Sequence, residues 1–312
     1  MFFQKIVFFL LLFVCLTPYV TPPIAMVLGL IFALAAGNPY QTQIADKSKL
    51  LLRGSVVLLG FGMNLTQIVT AGKQGISFTI ATIFGTLALG YFVGILLNIK
   101  KKTSVLVSSG TAICGGSAIA AIAPAIDADA EEISVSLGTI FILNSIALIV
   151  FPIVGHWLDL SQNQFGMWAA IAIHDTSSVV GAAQAYGAEA LAVGTSVKLA
   201  RALWIVPLTL LFALLYQSRH KEKKVKIVIP WFILLFLLAA VFRTYAPTFI
   251  LPSVFDAIVN LAKQGLTVTL FLIGASLSRD VLRKVGIKPL IQGVLLWIVI
   301  SLAGLWAVLS IL

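Results

Sequence analysis

An all-α polytopic membrane protein with about eleven transmembrane helices is the fold class this sequence predicts. Three observations carry that prediction. Of 312 residues, 60% are hydrophobic and only 10% charged, and the mean hydropathy is +1.07, more apolar surface than a soluble core can bury. Apolar runs near the ~20 residues needed to cross ~30 Å of hydrocarbon recur throughout. Two of those runs are interrupted midway by Gly and small polar residues, which in lipid must be covered by protein or line a cavity. The net charge of +10 fits loops that orient a membrane protein, and no nucleic-acid partner is expected.

The predicted spans are 5–20, 22–37, 50–71, 75–98, 103–126, 131–155, 164–186, 188–216, 227–246, 253–277 and 288–311. The N-terminal stretch carries a charge and then an apolar run, as a signal peptide does. No small-x-small cleavage site follows it, so it is read as the first helix. A Thr-Pro-Tyr-Val-Thr-Pro-Pro turn joins it to the second. The segment 37–49 reads as a polar loop with turn formers Gly37, Asn38 and Pro39. Cys15 and Cys114 fall inside apolar spans, so no structural disulfide is expected.

Orientation follows from Lys and Arg. With the N-terminus inside, Lys5, Lys47, Lys49, Arg53, Lys100 to Lys102, the run Arg219 to Lys226, and Arg279, Arg283, Lys284 and Lys288 all face the cytoplasm. The acidic loop Asp127, Asp129, Glu131 and Glu132 then falls outside, as does the C-terminus. The whole chain is read as one transmembrane transporter domain of the plasma (inner) membrane.

Two internal echoes are visible. Val56–Leu65 resembles Val268–Leu277, in spans of opposite direction, as an inverted repeat requires. Ala130-Glu131 leads a span ending at Pro152, and Ala188-Glu189 one ending at Pro207. With eleven crossings these two run the same way, and the echoes do not fit one simple repeat.

The candidate chemistry sits at the interruptions. The first is centred on Ser108–Ser117, with Ser109, Thr111, Cys114, Gly115, Gly116 and Ser117 as candidate substrate ligands. Gly-Gly costs a helix roughly 1 kcal/mol per residue against Ala, so this is read as a broken helix; a close-packed helix crossing is the alternative. The second is His174-Asp175-Thr176-Ser177-Ser178. Asp175 either caps the second half of a broken helix or joins His174 in ion coupling. Thr176, Ser177 and Ser178 would face the first group.

Lys198 and Arg201 share one helix face, too deep to snorkel easily. Asp175 is the nearest candidate counter-charge in sequence. The pair reads either as a structural salt bridge or as a positive wall for an anion, with Lys198 a further candidate for ion coupling. Asn144 is a candidate ligand or a helix–helix contact, Asn64 is read the same way, and Ser276 is the echo of Asn64. No metalloprotease, hydrolase, metal-ligand or phosphate-loop motif occurs, so no enzyme, cofactor or metal is expected.

The runs LLRGSVVLLGFGMNL, SSGTAICGGSAIAAIAPAI, IHDTSSVVGAA and VKLARALWIVPLTL, with Asn144 between them, resemble the YeiH-type membrane proteins, a family named for sulfate export. The resemblance covers nearly the whole chain. It implies kinship with the bile-acid and auxin transporter superfamily: inverted repeats, a panel domain, and a core domain with two crossing broken helices that slides against it. The expected function is secondary active transport of a small anion (sulfate- or sulfite-like, or a small carboxylate), coupled to H+ or Na+. A cation-coupled organic-acid importer and a membrane sensor without net flux are the alternatives; a homodimer is allowed.

Overall fold

The computed structural model describes residues 2–17, 19–216, 231–245, 252–277 and 285–311. All regular structure in them is helical. In chain order the helices are α1 (Phe2–Val14), α2 (Pro22–Ala35), α3 (Gln41–Leu59), α4 (Leu65–Leu96), α5 (Lys101–Ala112), α6 (Gly116–Ile122), α7 (Ala130–Trp157), α8 (Gln162–Ala172), α9 (Thr176–Tyr186), α10 (Ala188–Ala202), α11 (Ile205–Tyr216), α12 (Trp231–Tyr245), α13 (Pro252–Ser276) and α14 (Ile287–Ile311). Among the described residues, five stretches are long and apolar enough to cross a membrane: Phe78–Leu96, Ala130–Trp157, Ala188–Tyr216, Pro252–Ser276 and Ile287–Ser310. Phe2–Val14, Pro22–Ala35 and Trp231–Tyr245 are shorter apolar helices. The chain is a polytopic helical membrane protein.

Several predicted boundaries move. Gln41 onward is already helical, so only residues 37–40 remain of the predicted loop 37–49. The third span ends in a 3-10 turn, Gly60–Gly62, rather than at 71. Asn64 then accepts from Thr66 N–H at 2.8 Å and starts α4, so it serves the helix start. The runs Arg219 to Lys226 and Arg279 to Lys284 lie outside the described residues.

The larger correction concerns the spans 103–126 and 164–186. Each is a hairpin that returns to the face it entered from. Lys102 Nζ donates to Asp127 O, and Lys100 pairs with Glu131 at 3.7 Å. Residues 100–102 and 127–131 therefore share one face, which a continuous span of that length would have put ~30 Å apart or more. In the same way Tyr186 Oη donates to Leu160 O, and Gln162 Oε1 accepts from Glu189 N–H at 2.9 Å. The arms of the second hairpin have 11 residues each. At 1.5 Å per residue they reach about 16 Å, roughly half of a ~30 Å hydrocarbon core.

The remaining contacts assign faces. Gln4 Nε2 donates to Ala36 O, Asn38 Nδ2 to Ala275 O, and Lys101 lies 5.6 Å from the Tyr216 ring centroid. Gln292 Nε2 bridges Gly90 O, Ser104 Oγ and Ser108 Oγ. The first two contacts gather the start of α1 and the ends of α2 and α13; the others gather the ends of α4 and α11 with the starts of α5 and α14; α3 and α4, crossing in turn between Tyr40 and Leu96, bring both sets to one face. Thr244 Oγ1 accepts from Leu65 N–H, placing the start of α4 and the end of α12 on the opposite face, with the outer end of the α8–α9 hairpin. The acidic loop 127–132 thus lies with Lys100 to Lys102, not across from it. As a consequence α7 and α10–α11 run in opposite directions.

Two groups of helices share one continuous hydrophobic core. Gly29 and Gly274 let α2 and α13 touch backbone to backbone: a Cβ on either would collide with Phe271 O or Met26 O. The same group holds α1, α3 and α12. The second group holds α4, the two hairpins, α7, α10, α11 and α14. The returning arm α9 bridges them, with Gly181 facing Leu270 and Pro22.

This topology has a direct test. A membrane-impermeant thiol reagent should label Lys101→Cys and Asp129→Cys from one side and Ser161→Cys from the other, in sealed vesicles of known orientation. Labelling of Asp129→Cys and Ser161→Cys from the same side would contradict the hairpins.

Candidate functional site

The tips of the hairpins meet. α5 ends at Ala112, and Ile113 (φ −116, ψ −88) and Gly115 (φ 63, ψ −127) turn the chain back. Positive φ with that ψ is open to Gly alone without strain. A Cβ on Gly115 would sit 3.2 Å from Asp175 Cβ and 3.3 Å from Ile140 Cγ2. The turn of one hairpin therefore rests on the turn of the other and on α7.

A signal for this pairing was present in the sequence and was missed. Ala112-Ile113-Cys114-Gly115-Gly116-Ser117 repeats as Ala172-Ile173-His174-Asp175-Thr176-Ser177. The touching pair, Gly115 and Asp175, occupies the same place in each copy.

Asp175 caps α9. Its Oδ2 accepts from Ser177 N–H at 3.1 Å and from the Ser177 hydroxyl, satisfying donors that a helix start leaves open. Asp175 N–H in turn donates to Asn144 Oδ1 at 3.2 Å, so α7, which follows the first hairpin, braces the tip of the second. The N-terminal end of α9 is thus already provided with a carboxylate from its own chain.

Lys198 and Arg201 are 0% exposed, and of the two readings the structure does not show the salt bridge. Neither pairs with a described carboxylate. Arg201 Nε donates to Ala112 O at 2.8 Å and Nη2 to the same oxygen, while Nη1 reaches Thr82 Oγ1 at 3.1 Å. Lys198 Nζ donates to Ile173 O at 2.7 Å and lies 3.4 Å from Ala170 O. Each cation therefore sits at the C-terminal end of an inbound arm, where carbonyls lack helical partners and the helix dipole is negative. That environment stabilises a buried cation without a carboxylate. Thr82, on α4, was not singled out from the sequence.

Several buried polar atoms have no hydrogen-bond partner in the protein: Ser109 Oγ and Thr111 Oγ1 in the last turn of α5, Asn144 Nδ2, both ring nitrogens of His174, and Thr195 Oγ1, three residues before Lys198 on α10. Each such atom costs about 1–3 kcal/mol. Cys114, Thr176, Ser177 and Ser178 are also buried. Gly116 packs on Leu137 and Phe141 of α7, and Ser117 is exposed, facing away from the buried cluster. Ser276 donates to Ile273 O within its own helix, away from the tips.

Paired hairpins meeting inside a helical bundle, braced by two buried cations, define a class of polytopic membrane protein with a polar centre at mid-depth. The family model described as "Conserved hypothetical protein 698" matches residues 10–293. A UPF0324 membrane protein of Bacteroides thetaiotaomicron is 56% identical over 288 residues, covering 92% of this chain and 86% of that one. One from Porphyromonas gingivalis is 51% identical, covering 95% and 89%, and one from Shewanella oneidensis 44% identical, covering 97% and 94%. The chain belongs to this family of UPF0324 membrane proteins. No solved structure matches it.

Proposed function

We propose that the chain is a secondary active carrier of a small anion, with its binding site at the joined hairpin tips. The observation that carries this reading is the cluster of unpartnered buried polar groups on Ser109, Thr111, Asn144, His174 and Thr195 beside two fully buried cations. Hydroxyl, amide and imidazole groups can all donate to an oxyanion. With Lys198, Arg201 and Asp175 ionised, the centre carries one net positive charge. Interrupted backbone at membrane depth is where carriers hold their cargo.

An inverted repeat fits the same facts. The hairpin–helix units α5–α7 and α8–α11 enter from opposite faces, so the Ala130-Glu131 and Ala188-Glu189 echo now joins antiparallel helices. The Val56–Leu65 and Val268–Leu277 echo does so as well. α1, α2, α3, α12 and α13 would then be the panel, against which the hairpin-bearing core slides. This is the arrangement implied by the resemblance to the sulfate-exporter family. The positive-inside rule supports a cytoplasmic N-terminus, since Lys5, Lys47, Lys49, Arg53 and Lys100 to Lys102 share one face.

The test is uptake of labelled sulfate, sulfite or a small carboxylate into proteoliposomes containing the purified protein. Saturable, gradient-dependent uptake of one of them is expected. Saturable binding without flux under every gradient would replace the carrier by a sensor.

A further inference from the structure

We infer that Lys198 and Arg201 are tethered cations standing where carriers with interrupted helices bind an alkali ion, so that this protein binds no Na+ at its hairpin tips. In such carriers unwound carbonyls and the C-terminal ends of half-helices coordinate the coupling ion. Here those groups are already engaged. Ala112 O, at the end of α5, accepts two guanidinium N–H groups. Ile173 O and Ala170 O, at the end of α8, face the Lys198 ammonium. Both basic residues come from one helix, α10, three positions apart, so a single element supplies one charge to each hairpin.

The ammonium is the closer mimic. It is a compact point charge held by two carbonyls, with Asp175 two residues beyond Ile173. Removing it while keeping the apolar stem leaves two carbonyl oxygens, Ile173 O and Ala170 O, with no cation against them. Freed carbonyl oxygens at a half-helix end are the ligands an alkali ion takes in such carriers. The inference is read out in binding and does not require that the chain be a carrier.

The experiment compares the full-length wild type with Lys198→Met in detergent, replacing choline chloride by NaCl at constant ionic strength. Melting temperature and equilibrium binding of radiolabelled sodium are measured. The wild type should bind no sodium saturably, and its melting temperature should not respond to the exchange. Lys198→Met should melt lower in choline, recover in NaCl as a ligand bound only to the folded state requires, and bind sodium saturably; a folded variant that binds none and melts alike in both salts overturns the inference. If the variant cannot be purified in choline, preparation in NaCl decides. Folded protein in NaCl alone supports the inference, and none in either salt overturns it. Saturable sodium binding by the wild type overturns it irrespective of the variant, and leaves the uptake assay for anions untouched.

Discussion

Replacing Arg201 by alanine is expected to abolish anion uptake and to destabilise the protein, each charge-assisted hydrogen bond lost being worth about 1.5–3 kcal/mol. The guanidinium is the only described group donating to Ala112 O from another helix, and it ties α10 to α5 and, through Thr82, to α4. Without it, the last carbonyl of the inbound arm faces a cavity, and the centre loses one positive charge. Arg201→Lys separates the two consequences. Lysine keeps the charge but cannot fork onto one oxygen while reaching a second partner. It should fold, with a melting temperature between wild type and Arg201→Ala, and retain measurable uptake. Normal uptake in folded Arg201→Ala would remove this residue from the anion site.

Gly115→Val is expected to be nearly as damaging, for a steric reason. The backbone at φ 63, ψ −127 costs a side-chain-bearing residue about 1–3 kcal/mol in strain. The added Cβ would lie against Asp175 and Ile140 at 3.2–3.3 Å, and the two γ carbons have nowhere to go without separating the tips. Gly115→Ala should lower the melting temperature, and Gly115→Val should remove the folded peak in size-exclusion chromatography. Gly116→Ala is the control, because its new methyl would approach the flexible end of Leu137 at 3.3 Å from a helical backbone. Equal losses at the two glycines would show that the tip contact is not what matters.

Much of the centre was legible beforehand. The interruptions at Gly115 and near Thr176 stood out because Gly-Gly and His-Asp-Thr-Ser-Ser are costly in an apolar helix. Lys198 and Arg201 stood out because a basic group inside a long apolar run must find a partner. The identity of that partner was not legible: a backbone carbonyl at a helix end has no signature in the side-chain sequence, so a carboxylate was the natural expectation. Thr195, unpartnered like Ser109 and Thr111, gave no warning either, since a hydroxyl in a helix usually bonds back within its own turn.

The membrane class, the basic face and the positions of both breaks follow from composition and hydropathy alone, because transfer into lipid is a sum over residues and needs no geometry. Whether a broken span continues or turns back was decided only by the tertiary structure. Between Lys102 and Lys198 the chain carries no Lys or Arg, so the charge rule has nothing to act on where the faces of α7 and the hairpins are set. Which way each chain end points is determined there by contacts between distant residues, Lys102 with Asp127 and Tyr186 with Leu160, and by one turn resting on another at Gly115 and Asp175.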